Sequence, residues 1–337
     1  MNGRRSKTES KGRNPAVAIV CVAVVMVLLL VGMFLLRMWE EDYSRVPEST
    51  LPEEELTYFD GGWYRLRRDV ETVLLMGIDK ATLDEAMPVQ GEYEQSDFLM
   101  LLVIDKKAEK CTGIHINRDT MTEIQMLSET GRVEGRFTGQ ITLAHSFGGQ
   151  PEIRCRNAVT AVSHLLYGMR IDHYISIMMD GVIALNDLVG GVTLEVMDDF
   201  TGIDDSLVQG EMVTLMGQQA LTYIRARKGL ADQTNLHRME RQKQYLEALQ
   251  DKLLSRTDTD EAFSMSVLTE LNDYIVSNCS VEQFNALSET LEEYGVGEYR
   301  TLEGQSVAGE QFYEYYVDND ALQRLVMELF YERVRDA

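Results

Sequence analysis

Proline and cysteine are scarce in this chain of 337 residues. Five prolines exclude a collagen-like or polyproline architecture. Four cysteines, none in a C-x-x-C pair, exclude a disulfide-dense scaffold and give no zinc-binding pattern. Basic residues are outnumbered, 32 Lys and Arg against 55 Asp and Glu, for a net charge of −23. Nucleic acid is therefore excluded as a general partner, because holding a phosphate backbone needs a basic face. There is no G-x-S-x-G, no H-E-x-x-H, no Walker loop and no G-x-G-x-x-G. Internal repeats and low-complexity segments are absent too, which removes solenoids and disordered arrays. Neither His145-Ser146 nor His173 has the company of a catalytic triad, and all five histidines read as structural groups.

What is present begins with a run of 21 uninterrupted apolar residues, Ala16 to Leu36. As a helix it would extend ~31 Å, the thickness of a bilayer's hydrocarbon core. A cleaved signal peptide fits badly, since its apolar region is usually about 7–15 residues long and ends at small residues. Here the run ends in Arg37-Met38-Trp39-Glu40-Glu41-Asp42. Arg4, Arg5, Lys7, Lys11 and Arg13 precede the run, so the positive-inside rule orients it. The expected organisation is a cytoplasmic head over 1–14, a single transmembrane anchor over 15–38, an extracytoplasmic stalk over 39–70 and one folded domain over 71–337. Cys21 falls in the anchor, and Cys111, Cys155 and Cys279 are expected to be buried free thiols.

Apolar runs at Thr72–Ile78, Phe98–Ile104, Ile171–Met178 and Val192–Val196 have the length of strands buried on both faces, with Cys111–Ile116 a weaker candidate. Helical spacing places Ile153, Val159, Val162, Leu165 and Leu166 on one face. Val182, Leu185, Leu188 and Val189 form another, stopped by Gly190-Gly191. Met239, Leu246, Leu249 and Leu253 form a third, and Ser280-Val281-Glu282-Gln283 is a capping box. Short strands are expected at Glu298–Leu302 and Phe312–Val317, then a helix from about Asn319. Strands interleaved with helices imply an α/β fold, a layered α-β-α domain around a central mixed sheet.

Three groups could carry chemistry. Residues 225–243 concentrate Arg225, Arg227, Lys228, Arg238, Arg241 and Lys243 in an otherwise acidic region. Arg225 and Arg227 end a helix on which Met216, Ala220, Leu221 and Ile224 share a face, while Arg238 and Gln242, spaced i, i+4, project together from the next. Forked guanidinium donors suit a phosphate or pyrophosphate; the same pattern also describes a solvated basic face paired with surface acids. Asp79 ends one strand and Asp97 precedes another. The two meet if those strands are antiparallel and lie at opposite edges if they are parallel. Met together, they are hard oxygen ligands of the kind Mg2+ takes; apart, each is an ordinary turn residue. Finally, Arg118-Asp119 follows a strand, as a functional pair or a local salt bridge.

In order and spacing these segments resemble the LytR-CpsA-Psr family over roughly residues 70–255. The resemblance rests on Val73–Asp79, Gln95-Ser96-Asp97-Phe98, Asn117-Arg118-Asp119-Thr120, Leu143–Gly149, Asp187–Val192, Gly217–Arg227 and Arg238-Met239-Glu240-Arg241-Gln242. Such a resemblance implies a phosphotransferase outside the cytoplasmic membrane. It would move a glycopolymer from a polyprenyl-pyrophosphate carrier, whose tail sits in an apolar pocket, to a peptidoglycan acceptor. Carried over, Asp79 and Asp97 would hold Mg2+. Arg118, Arg225, Arg227, Arg238 and Gln242 would clamp the pyrophosphate, and Asp119 would orient Arg118 or act as a base. The chain departs from the pattern at Asn117, where proline is usual and only local stiffness should change. It departs again at Asn235, where an acid is common, and at His145-Ser146. At Gln140 a basic residue is expected, and Arg136 is its possible substitute. The alternative is a non-catalytic receptor for lipid-linked wall polymers. A transcriptional regulator is opposed by a 14-residue cytoplasmic head, too short to read DNA.

Overall fold

The computed structural model describes residues 56–81, 93–226, 230, 235–257, 263, 270–310 and 312–336. The apolar run at 16–36 and Arg227 lie outside them, and among the described residues no helix is long and apolar enough to cross a membrane. In chain order, the hairpin β1 (Leu56–Phe59) and β2 (Gly62–Leu66) leads into β3 (Val70–Ala81), β4 (Tyr93–Asp105) and β5 (Lys110–His115). The hairpin β6 (Met121–Leu127) and β7 (Val133–Gln140), a 3-10 turn (Ile141–Ser146), α1 (Pro151–Leu165) and β8 (His173–Met178) follow. Next come α2 (Met179–Leu188), β9 (Val192–Glu195), β10 (Met212–Leu215), α3 (Gln218–Arg225), α4 (Asn235–Thr257) and β11 (Ile275–Ser277). The chain closes with α5 (Val281–Tyr294), β12 (Val296–Thr301), the hairpin β13 (Gly304–Ala308) and β14 (Tyr313–Val317), α6 (Asn319–Phe330) and β15 (Tyr331–Asp336).

The central sheet has the order β11-β8-β3-β4-β5-β12. Pairs β3/β8 and β5/β12 are parallel and the rest antiparallel, so the sheet is mixed, as expected. Both its faces are covered, which is why β3 and β4 read as unbroken apolar runs. Met100, Leu102 and Ile104 face a layer built from α2, α3 and α4. Leu99, Leu101 and Val103 face another, built from α1, α6 and the 3-10 turn. All six are at most 3% exposed, and each such burial stabilises by about 1.5–3 kcal/mol.

The helix signals are realised in detail. Ser280 Oγ accepts from the Gln283 N–H at 3.2 Å and Gln283 Oε1 from the Ser280 N–H at 2.9 Å, the reciprocal capping box. α2 stops at Gly190 and Gly191, with φ of 83° and 84°. A Cβ on Gly191 would lie 2.8 Å from the Leu215 carbonyl oxygen, so only glycine fits. One helix face differs from expectation: Met216 precedes α3 and is 48% exposed. The entry to the domain differs as well. Residues 56–66, expected in the stalk, form β1 and β2, and β2 pairs antiparallel with the C-terminal β15. A partner more than 260 residues away rescues a stretch whose glycines and acids suggest no fold by themselves.

Candidate active site

The β3–β4 pairing decides where the two acids go. The strands are antiparallel, and Asp79 and Asp97 come to one end of the sheet. Gly77 pairs with Phe98 and Ile78 with Ser96, so Asp97 is the extra residue of a β-bulge. A bulge turns its residue off the ladder, and here it aims the carboxylate at two arginines. Arg118 Nη1 donates to Asp97 Oδ1. Arg238 Nη1 lies 3.4 Å from Asp97 Oδ2, and its Nη2 the same distance from the Asp97 carbonyl. Arg225 Nη2 donates to Asp79 Oδ2. Three guanidinium groups from three elements thus converge on two neighbouring strand ends. Arg238 is 2% exposed, Arg118 12% and Arg225 38%, so the cluster runs from buried to open.

The turn after β5 holds Arg118 from several directions. Its Nη2 donates to Gln95 Oε1 at 2.8 Å, and its Nε lies 3.5 Å from Asp119 Oδ1. Asp119 is buried and also accepts from Gln140 Nε2 at 3.1 Å. A carboxylate so enclosed by donors orients Arg118; that geometry favours the orienting role over the base. Asn117 does more than change stiffness. Its Oδ1 accepts from the Asp119 N–H and from Asn235 Nδ2, both at 2.9 Å. Asn235 opens α4, one turn before Arg238, so two departures from the family pattern touch and tie the Arg118 turn to the Arg238 helix. Gln140 likewise serves Asp119, whereas Arg136 pairs with Glu123 on an exposed stretch of β7 and supplies no substitute. His115, not singled out by the sequence, lies against Phe98 with ring centroids 4.8 Å apart. Burial first, and the Arg238 charge second, push it down to about 3, so it stays neutral.

Arg241 is not a ligand group. It is 1% exposed, donates from Nε to the Tyr223 carbonyl at 2.9 Å, and its remaining nitrogens reach Asp198 and the Ala226 carbonyl. These carbonyls end α3, where a cation meets both orphan acceptors and the negative helix end. Arg241 therefore fixes the helix terminus that carries Arg225. One residue on, Gln242 Nε2 donates to the Ile224 carbonyl at 3.3 Å, and its buried Oε1 has no hydrogen-bond partner among the described residues.

Beside these groups lies an apolar cavity of about 170 Å³ between the sheet and α2, α3 and α4. Gly77, Phe98, Ile224 and Gln242 line it. Each sits within two residues or one helical turn of a charged group: Asp79, Asp97, Arg225 and Arg238. The charged cluster thus stands at the edge of the apolar space.

Cysteine chemistry is absent from this site. Cys111, Cys155 and Cys279 are buried, as expected, and among the described residues none joins a disulfide. Cys155 Sγ contacts His145 Nε2 at 3.6 Å and Ser176 Oγ at 3.4 Å, within a buried polar chain behind the sheet. Burial pushes the thiol up to about 12 and the imidazole down to about 4, which leaves neither poised for nucleophilic catalysis.

A model of the LytR_cpsA_psr family matches residues 44–330. The chain belongs to that family. One family relative is the polyisoprenyl-teichoic acid–peptidoglycan teichoic acid transferase TagU of Halalkalibacterium halodurans, 32% identical over 183 residues, which cover 54% of this chain and 53% of that protein. TagU of Enterococcus faecalis is 25% identical over 329 residues, 95% of this chain and 97% of its own. Against three of the curated relatives the chain spans only 53–61% of their length. The crystal structure of B. subtilis TagV shares the fold at a TM-score of 0.56 and 23% identity, over 78% of this chain and 97% of that one.

Proposed function

We propose that the protein is a membrane-anchored phosphotransferase that moves a glycopolymer from a polyprenyl-pyrophosphate carrier to peptidoglycan. The carrying observation is the adjacency of three arginines to an apolar cavity, which suits an amphiphile with a phosphate head and a hydrocarbon tail. The similar transferases named above support the same reading, and the apolar run at 16–36 supports the anchor.

Arg118 and Arg238 would take the phosphate oxygens in place of Asp97, and Arg225 those nearest Asp79. Fixed forks of this kind bind phosphate bidentately and stabilise the charge that develops as it transfers. Arg227 is the expected fourth donor. Asp119 holds Arg118 in place, the Gln242 amide borders both head and tail, and the cavity keeps water from the first carbons of the carrier. A sugar hydroxyl of the acceptor attacks the phosphorus that bears the polymer. One P–O bond forms to the sugar, the P–O bond to the carrier phosphate breaks, polyprenyl phosphate leaves, and the proton of the attacking hydroxyl passes to solvent. Positioning and charge stabilisation suffice for such a transfer. Asp79 and Asp97, brought to one end of the sheet by the antiparallel β3–β4 pairing, would hold a Mg2+ ion shared with the substrate phosphate. Among the described residues no three His, Cys, Asp or Glu converge on a cage, but two carboxylates plus waters and substrate phosphate are what this ion commonly accepts. Bound there, it would neutralise charge on the pyrophosphate.

The test incubates the full chain with Mg2+, a short synthetic polyprenyl-pyrophosphate glycan and peptidoglycan oligomers, with polymer attachment read by mass spectrometry. An adduct lost in Arg118→Ala supports the transferase. Tight carrier binding without any adduct supports the receptor instead. Carrier affinity unchanged in both Arg225→Ala and Arg238→Ala overturns the site.

A further inference from the structure

The arginine cluster has two unlike neighbours. On one side lies the apolar cavity. On the other, the Arg118–Asp119 turn is hydrogen-bonded to the β13–β14 hairpin. The Asp119 carbonyl accepts from the Tyr315 N–H at 2.9 Å, and Thr120 forms a parallel bridge with Tyr315. Gln140 Nε2 donates both to Asp119 Oδ1 at 3.1 Å and to the Tyr313 carbonyl at 2.7 Å. Tyr315 is 3% exposed and its hydroxyl donates to the Leu302 carbonyl at 2.6 Å. One edge of the hairpin is thereby pinned to the catalytic turn, with the Tyr315 ring on the inner face.

The outer face, away from the Tyr315 ring, is open. Side chains alternate along β14, so Tyr316 and Glu314 point away from Tyr315. Their cross-strand partners on β13 are Gln305 and Val307. Phe312 is 47% exposed, Tyr316 49% and Val307 46%. The Tyr316 hydroxyl donates to Glu314 Oε2 at 2.6 Å, which holds the ring in place. With Phe312 at the turn just before β14 and Tyr316 and Val307 on the hairpin itself, exposed rings at this end offer a surface on which a partner can stack.

Reaction geometry says what belongs there. In phosphoryl transfer the entering and leaving oxygens stand roughly in line on opposite sides of the phosphorus. If the carrier leaves toward the apolar cavity, the acceptor comes from the side of the Arg118–Asp119 turn, where the hairpin is. Aromatic rings interleaved with a carboxylate and an amide match a saccharide. The C–H face of a pyranose packs on the negative face of a ring, and its hydroxyls reach Glu314 and Gln305.

We propose that the outer face of the β13–β14 hairpin is the acceptor platform, where Phe312 and Tyr316 stack the amino-sugar chain of peptidoglycan beside Arg118. This rests on the transferase reading above, because that reading supplies the acceptor. Donor and acceptor would then approach from opposite layers of the fold and meet at the arginines.

The experiment separates the two arms. On the full chain, affinity for a (GlcNAc-MurNAc)2 oligosaccharide is measured by titration calorimetry, and the KM for acceptor and for donor in the transfer assay. Phe312→Ala/Tyr316→Ala should weaken the oligosaccharide and raise acceptor KM by at least roughly tenfold, as the loss of two stacked rings predicts, while donor KM stays put. Tyr316→Phe, which keeps the ring, should restore most of the affinity. Both substituted residues are exposed, and an unchanged melting temperature checks the fold. Unchanged oligosaccharide affinity and acceptor KM in the double variant overturns the platform and leaves the transferase intact. Oligosaccharide binding that depends on these rings without any transfer upholds the platform and removes the transferase. A dimer in light scattering that Phe312→Ala dissolves makes the face a self-contact and overturns the proposal.

Discussion

Replacing Asp97 with asparagine tests the balance on which the site depends. In the wild type one carboxylate, 9% exposed, faces two guanidinium groups that are 12% and 2% exposed. Asp97→Asn keeps the shape and removes the charge. Two buried cations then face one another with a neutral amide between them. Breaking a buried pair by removing one partner costs about 3–5 kcal/mol, mostly because the other charge stays buried. At about 2–4 °C per kcal/mol for a domain of this size, the melting temperature should fall by roughly 6–20 °C. The same variant should respond more strongly to an anion. In the wild type inorganic pyrophosphate must displace the Asp97 carboxylate from Arg118 and Arg238; in the variant that carboxylate no longer competes. Pyrophosphate at 100 times its Kd would stabilise by about 2.7 kcal/mol, so it should restore much of the loss. Differential scanning fluorimetry of both proteins, in EDTA and across a pyrophosphate series, reads both effects. A variant as stable as the wild type, or one with no larger pyrophosphate response, would refute the view that Asp97 holds the arginine cluster together.

Two further outcomes are expected. Leu246→Trp, at the half-buried wall of the apolar cavity, should abolish polyprenyl-pyrophosphate binding in a competition titration while sparing inorganic pyrophosphate; its overpacking should cost about 1–3 kcal/mol. The Glu71–His173 pair, 3.2 Å apart across β3 and β8, should give stability an alkaline slope. Burial opposes a charge on His173, but Cys279 and Glu71 outweigh it and push the imidazole up to about 9. His173, outweighing the effect of burial, and Lys106 push Glu71 down to about 2. A raised histidine stabilises fully below its ordinary value and loses that contribution as pH climbs through about 9. Unfolding free energies from urea titrations should therefore decline from about pH 6.5 to 9, by roughly 3 kcal/mol in total, and His173→Gln should flatten that limb. The Glu71 contribution runs the other way and disappears as pH falls toward about 2.

The fold was legible where one residue's surroundings are set by its near neighbours. β3, β4 and β8 announce themselves because strands covered on both faces must be apolar throughout. The Ser280–Gln283 box and the Gly190-Gly191 stop are local chemistry and occur where expected. β7 was not legible: Val133–Gln140 contains three charged or amide side chains and two glycines, and only its pairing with β6 makes it a strand. In the site, the acids and arginines were readable as residue types, but their meeting was not. That depends on antiparallel pairing and on a bulge of one residue at Asp97, which no periodicity encodes. The contacts of Gln140 with Tyr313 and of Asn117 with Asn235 span 173 and 118 residues. Each polar side chain looks like an isolated departure until the fold supplies its partner.

The pairing of β2 with β15 has a consequence for how the domain is made. Its register joins Gly62 to Asp336 and Leu66 to Tyr331, so one edge of the first hairpin stays open until β15 has been synthesised. Contacts of such separation close slowly, because loop entropy must be overcome first. During synthesis β2 is an exposed edge, able to add a stray strand. Its Arg65 and the pairing Glu332, 3.1 Å apart from Nε to Oε1, lie in the ladder that finally covers it. A chain interrupted just before β15 would have every strand of its central sheet and its clasp undone. Its β1–β2 hairpin would be the segment exposed to proteases.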